Sequence, residues 1–182
     1  MTEKKISLCY CYPDSLNLHG DRGNIMAFQR TAKLMGVDFA FSRLDSFYGK
    51  PDFEDADILF FSPGELRTAC GMAQALRPYR EEFAAYLRDG KMIVVVGTTI
   101  ALFAGETKRR NGSSFTGLEL VNASCRERKI TYSNDEIFTT EVFGEPLEAV
   151  GGQIQMIDVD RNGEMPLGQV TYGYGNNHGT DE

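Results

Sequence analysis

The residues best placed to do chemistry sit at one turn. Met92-Ile93-Val94-Val95-Val96 is an unbroken apolar run, and Gly97-Thr98-Thr99 follows it directly. Five apolar residues in succession predict a strand buried on both faces. Gly97 breaks the run, Thr98 and Thr99 are candidate caps, and Ile100 to Phe103 read as a first helical turn. A strand, a sharp turn and a helix form the arrangement on which many α/β hydrolytic enzymes expose a nucleophile. Here the turn carries a glycine, which has no oxygen or sulfur to attack with.

Other chemistry-bearing residues are scattered and each has a plain structural reading. Cys70, among Ala69, Gly71, Met72 and Ala73, reads as a small buried thiol on a helix rather than a displaced nucleophile. Cys9 and Cys11 are two apart on a strand, without the second pair that a tetrahedral zinc site needs, so they read as core. No metal is expected. Asp158-x-Asp160-x-Asn162-Gly163 imitates the start of a calcium loop, but its twelfth position is Gln169 rather than a bidentate glutamate, and strands flank it. A β-turn with Asn-Gly at its tip explains it better. Arg126, Arg128 and Lys129 form a basic cluster in an acidic chain that reads as a solvated face. His19 and Asp21 lie in a polar loop, Asn17 to Asn24, as candidate ligand contacts or simply a turn. Arg22 and Asn24 are candidates to anchor the following helix or to hold a partner.

The elements that position these residues alternate. Ile6, Leu8, Tyr10 and Tyr12 have period two, and Pro13 ends that strand. Ile25, Phe28, Ala32 and Met35 fall at helical spacing up to Gly36. Val37, Phe39 and Phe41 alternate again. Asp57 to Phe61 is a short buried strand closed by Ser62-Pro63-Gly64. Pro78 suits a first helical position, with Phe83, Tyr86 and Leu87 on one face down to Gly90. The order β-α-β-β-α-β-α predicts a doubly wound sheet. Beyond it, Lys129 to Phe143 reads as β structure with a turn at Ser133-Asn134-Asp135. Val150 to Val159 and Leu167 to Tyr174 read as strands joined by Asp160 to Gly163. The expectation is one α/β domain over residues 1–182, a three-layer, mostly parallel central sheet with an antiparallel extension after residue 129. Ligands of such sheets bind beyond the C-terminal strand ends. The loops there, Tyr12 to Asn24, Ser62 to Arg67 and Gly97 to Thr99, should line one cavity.

Composition bounds the function. With 182 residues the chain can bury a full core, and its formal net charge of −7 argues against a nucleic-acid backbone as partner. No apolar run approaches the roughly 18 residues of a membrane span. The N-terminus lacks the pattern of a signal peptide, and four cysteines without a framework suit a reduced cytoplasmic setting.

At the same three loops the chain resembles the class I (triad) glutamine amidotransferases of the cobyric acid synthase type. The branch it is most similar to is the glutaminase subunit of lipid II isoglutaminyl synthase. Tyr12-Pro-Asp-Ser-Leu-Asn-Leu-His-Gly-Asp-Arg-Gly-Asn24 is close to the branch's Tyr-Pro-Asp-x-x-Asn-x-Tyr-Gly-Asp-x-Gly-Asn. Pro166-Leu-Gly-Gln-Val-Thr-Tyr-Gly-Tyr-Gly-Asn-Asn177 is like its Pro-Leu-Gly-x-Val-x-x-Gly-x-Gly-Asn-Asn, and Gly117-Leu118 stands where the family has Gly-Leu-Gly. The resemblance implies a flavodoxin-like fold, glutamine or another small molecule as ligand, a Mur-ligase-like partner subunit and no cofactor. It makes Asn17, His19, Asp21, Arg22, Asn24, Arg67, Arg128, Gln153 and Gln155 the candidate ligand-binding residues. Gly64 and Thr98 become the candidate oxyanion donors.

The departures fall on the chemistry. The family nucleophile lies in Ile-Cys-Gly-Gly-Tyr-Gln, and the matching stretch is Val96-Gly97-Thr98-Thr99-Ile100-Ala101, so Gly97 stands in place of the cysteine. The oxyanion strand Gly-Gly-Gly-Gln matches Ser62-Pro63-Gly64-Glu65, where Pro63 removes a backbone N–H and Gly64 keeps one. Gly-Tyr-Glu-Ile-His matches Gly151-Gly152-Gln153-Ile154-Gln155, so the acidic and histidine positions are glutamines. The family's Tyr-Leu-His-Gly motif, downstream of Gly-Asn-Asn, is not within residues 1–182, which leaves open a longer natural chain. The expectation is an amidotransferase-like subunit that is catalytically degenerate as given, or a non-catalytic ligand-binding or regulatory module on the same fold.

Overall fold

The computed structural model describes residues 5–178. Its contacts divide the chain into two compact units, one up to Phe103 and one from Ala104 onward.

The first unit is a three-layer α/β structure. It runs β1 (Lys5–Cys11), α1 (Arg22–Leu34), β2 (Asp38–Leu44), β3 (Ile58–Phe61), α2 (Leu66–Leu76), α3 (Arg80–Arg88), β4 (Met92–Val95) and α4 (Ile100–Phe103). The four strands form a parallel sheet in the order β2-β1-β3-β4. That is the beginning of the flavodoxin-like order, in which the chain steps outward from β1 in both directions. The strands read as Ile6–Tyr12, Ile58–Phe61 and Met92–Val96 therefore share one sheet.

Strand alternation sorts the core into two halves. Leu8, Tyr10 and Phe60 point to one face and pack with Ile25 of α1, with Phe28, Phe39, Ile58 and Val94 around them. Cys9, Cys11, Leu59 and Phe61 carry the opposite parity and are buried. Phe61 stacks edge-on against Phe103 of α4 at 4.9 Å and tilted against Phe83 of α3 at 6.4 Å. Full burial of a side chain like Phe61 contributes about 1.5–3 kcal/mol.

Several sequence expectations need correction here. The run Met92 to Val96 is not buried on both faces. β4 ends the order of strands, Met92 is 52% exposed, and the residues after it are half-buried. Among the described strands it pairs only with β3, so its apolar character is only partly used. The helix α2 had no place in the predicted order, although Leu66, Ala69, Met72, Ala73 and Leu76 bury one of its faces. α1 ends at Leu34, and Met35 is 72% exposed rather than on the buried stripe. Gly36 follows with φ +66°, the left-handed conformation that closes a helix.

The second unit is β-rich and mixed. β5 (Glu106–Lys108) and β6 (Ser114–Thr116) form a short antiparallel pair, so the extension begins well before residue 129. β7 (Ser124–Thr140) runs parallel to β5 and antiparallel to β8 (Leu147–Asp160). The stretch Ser133-Asn134-Asp135 is not a turn. It lies inside β7, paired with Ile154, Gln153 and Gly152, because cross-strand pairing supplies the backbone partners that a turn would otherwise give. β9 (Gln169–Tyr172) pairs with β7 and not with β8. Asp160 to Gly163 therefore leads away from β8 without forming a tight hairpin, although Asn162 and Gly163 do take positive φ.

Candidate functional site

The end of β4 is built as the sequence suggested, but held differently. Gly97 has φ +59°, a conformation costly to any residue with a Cβ. A Cβ on Gly97 would lie 3.2 Å from Cβ of Pro63. Gly97–Thr99 form a single 3-10 turn that leads into α4. The 3-10 turn has no side-chain cap at its start. Instead Thr98 Oγ1 donates to the carbonyl of Gly64, and Thr99 Oγ1 donates to the carbonyl of Ser62 at 2.7 Å. Both threonines are buried, so their hydroxyls must find acceptors, and the loop after β3 offers two free carbonyls.

The loop after β1 joins the same cluster. The amide of Leu18 donates to the carbonyl of Pro63 at 3.1 Å. Leu16 is fully buried, and its Cδ2 lies 2.5 Å from where a Cβ on Gly64 would be. The three strand-end loops thus meet by direct packing, with Leu16 filling the space beside Gly64. Ser62 Oγ donates to the Tyr10 hydroxyl at 2.9 Å, below them in the core. A cavity of about 680 Å³ opens elsewhere in this unit, lined by Ser7, Ala40, Ser42, Asp52 and their neighbours.

Within the first loop, Asp21 is the organiser. It is buried, its Oδ2 accepts the His19 amide at 3.4 Å and its Oδ1 accepts Asn24 Nδ2 at 3.5 Å. Its own amide donates to Asn17 Oδ1 at 3.2 Å. These bonds explain Asn17, Asp21 and Asn24 as the frame of the turn that starts α1. The side chain of His19 is exposed. Arg22 is exposed and lies 3.8 Å from Asp14, and Arg67 is exposed and lies 3.5 Å from Glu65. Tyr12, at the head of this loop, was not among the candidates. It is fully buried with φ +56° and its hydroxyl has no partner among the described residues. Burial pushes its phenol well above the ordinary range. A bulky residue in the left-handed region marks a constrained position, and nothing in residue type alone announces it.

The remaining candidates lie in the second unit. Arg128 is not part of a solvated face. Its side chain is 15% exposed, and Nη1 donates to Asp158 Oδ1. Its guanidinium also lies 5.9 Å from the Tyr132 ring centre. Arg126, 70% exposed, reaches Asp158 Oδ2 at 3.1 Å. Gln155 is buried, and its Nε2 donates to Asp158 Oδ1 and Asn176 Oδ1, both at 3.5 Å. The Oε1 atoms of Gln153 and Gln155 have no partner among the described residues. Asp158, read as part of a calcium-like turn, is instead the shared acceptor of this group. Arg126, Arg128, Asp158 and Asn177 border a cavity of about 480 Å³.

Three of the four cysteines are accounted for by packing. Cys9, Cys11 and Cys125 are buried free thiols, and burial pushes Cys11 upward and Cys125 to about 11. Cys70 lies on a helix as expected but is not buried: it is a free thiol of intermediate exposure, because the buried stripe of α2 runs through Ala69, Met72 and Ala73.

Two proteins of known function are similar to this chain along nearly all of its length. One is the subunit GatD of the glutamine-hydrolysing lipid II isoglutaminyl synthase of Staphylococcus aureus strain N315. It is 22% identical over 175 residues, which are 95% of this chain and 69% of that protein. The other is the subunit GatD of the same synthase of Streptococcus pneumoniae strain R6, 23% identical over 177 residues, 95% of this chain and 66% of that protein. The chain spans about two thirds of the length of these relatives. No family model matches it.

Proposed function

We propose that the chain is a GatD-like, glutamine amidotransferase-type subunit that works in the cytoplasm beside a Mur-ligase-like partner. The partner would amidate a carboxylate of a peptidoglycan stem peptide, and this subunit would occupy the ammonia-supplying position. Likeness to two GatD subunits over 95% of the chain supports the assignment. The observation that carries it is the turn at Gly97, which keeps the positive φ of a strained strand-to-helix turn and packs against the loop after β3.

On this reading the subunit holds the architecture but not the reaction. A cysteine amidotransferase needs a thiolate, a base that generates it and N–H donors for the oxyanion. Gly97 offers no nucleophile. Gln155 offers no base, because an amide does not take up a proton near neutrality. Pro63 offers no N–H. Gly64 and Thr98 remain as candidate donors, and Thr98 already spends its hydroxyl on the Gly64 carbonyl. Asn17, His19, Asp21, Arg22, Asn24 and Arg67 on the first unit, and Arg128, Gln153 and Gln155 on the second, are proposed as ligand contacts.

The deciding experiment measures ammonia and glutamate release from excess glutamine, alone and with a co-purified Mur-ligase-like subunit. The expected result is no release in either case, together with co-purification. Robust release by the chain alone would overturn the degenerate reading and make Cys70 the first suspect. A second reading, a non-catalytic small-ligand module, is favoured by the buried, unpartnered Oε1 atoms of Gln153 and Gln155. Calorimetric binding of glutamine without a ligase partner would support it over the first.

A further inference from the structure

Among the described strands β8 pairs only with β7, which leaves its other side without a neighbouring strand. Near one end the edge is closed by side chains. The Val159 amide donates to Asn176 Oδ1 at 3.0 Å, and Asn177 Nδ2 donates to the Val159 carbonyl at 2.8 Å. The pairing with β7 shifts register between Glu127 and Tyr132, so the groups farther along do not continue the pattern of Val159. There the Ile137 carbonyl accepts from Thr171 Oγ1, and the carbonyls of Asp135 and Thr139 lie against Gly173 and Gly168, so these residues turn their backbones toward β9. Asn134 and Glu136 therefore face Gln153 and Gly151, which leaves the backbone groups of Val150, Gly152 and Ile154 on the open side.

Proteins that keep long edges single protect them with lysine, proline, bulges or brevity. From Leu147 to Asp160 there is no lysine, arginine or proline, and from Ala149 to Ile157 there is no charge at all. This is unexpected in a chain of net charge −7. Val150 and Ile154 stand on the outward face, 76% and 53% exposed. Between them Gly152 has nothing within 4 Å of where a Cβ would lie.

We propose that two copies of this chain associate by antiparallel pairing of β8 with β8 about a two-fold axis at Gly152. That register sets Val150 of each copy opposite Ile154 of the other, so four exposed apolar side chains cover one another. It sets Gly152 opposite itself, and the backbone groups of Val150, Gly152 and Ile154 then bond across the axis. It also sets Glu148 opposite Met156 and carries Asp158 past the start of the other strand, so no two carboxylates face each other. Registers centred on Gln153 or Ile154 would oppose Glu148 to Asp158 or to Asp160, a like-charge pair that destabilises a sheet. Of the registers that avoid such a pair, the one centred on Gly152 sets Val150 against Ile154, so the edge is self-complementary there, as an isologous contact requires.

The test is sedimentation over a range of concentrations together with cysteine scanning. The wild type should pass from 20.3 kDa to twice that mass as concentration rises. The double variant Val150→Lys, Ile154→Lys should remain monomeric with an unchanged circular dichroism spectrum. Gly152→Cys should form a disulfide-linked dimer on mild oxidation, and Glu148→Cys should not exceed the wild-type background. A wild type that stays monomeric throughout would overturn the proposal. So would a dimer unaffected by the lysine pair, or cross-linking of Glu148→Cys as readily as of Gly152→Cys.

Discussion

Gly97 combines a backbone conformation that favours glycine with a neighbour, Pro63, that leaves little room for a side chain. Gly97→Cys in a protein of residues 1–182 is therefore expected to lose about 1–2 kcal/mol of stability, the cost of a left-handed residue with a Cβ. It is also expected to show no glutaminase activity. The new thiol would be largely protonated near neutral pH, given a free cysteine pKa of about 8.5. Loss of an oxyanion donor costs a further factor of about 10²–10³. Urea denaturation and an ammonia assay on the same sample check both outcomes, and turnover above background would refute the second. Tyr12 gives the opposite case. Its buried hydroxyl has no partner among the described residues, so Tyr12→Phe removes a desolvated polar group and little packing. The expected change lies between neutral and a gain of about 1 kcal/mol. A loss above that size in the denaturation midpoint would mean that the hydroxyl is satisfied.

Among the elements, the 3-10 turn and α4 depend on the loop after β3 rather than on their own caps. Thr99→Val keeps the shape of the side chain and leaves the Ser62 carbonyl without its donor. The expected cost is about 1–3 kcal/mol, because a buried acceptor is left unsatisfied. Thr98→Val should cost a similar amount through Gly64. If both substitutions prove neutral by thermal denaturation, the loop and the turn are not held together by these bonds. Helix α2 could have been read from its sequence, since Leu66, Ala69, Met72, Ala73 and Leu76 keep helical spacing. Gly71 and the small neighbours obscured it, because a glycine inside a helix weakens the local signal.

Across the whole molecule two carboxylates, one in each unit, tie stability to pH. Hydrogen bonds from Ser7 hold Asp57 below its ordinary range, and the Arg110 amide with Arg109 does the same for Glu127. A carboxylate whose folded pKa is depressed stabilises the fold above its unfolded pKa and loses that contribution as pH falls through the folded one. Stability should therefore be level near neutrality and decline below the ordinary carboxylate range. Glu127→Gln and Asp57→Asn should each lower stability at neutral pH and flatten the acid limb. Denaturant midpoints at a series of pH values measure this, and an unchanged acid limb in both variants would show that other groups control it.

What the sequence determined alone was the repeating local order. The period-two strands, the helical stripe of α1 and the glycine that ends it follow from side-chain spacing and backbone limits, which act within a few residues. The meeting of the loops at Leu18, Pro63 and Gly97 followed as well, because parallel strands must bring their C-terminal ends to one edge. The tertiary structure decided which partner each polar group takes. Thr98 and Thr99 could cap a helix or serve distant carbonyls, and only the placement of β3 beside β4 made the second available. Ser133 to Asp135 could turn or extend, and the pairing with Gly152 to Ile154 extended it. Asp158 could belong to a turn or hold an arginine, and the register of β7 on β8 put Arg126 opposite it, with Arg128 also in reach. Such choices depend on residues far apart in the chain, whose proximity no local pattern encodes.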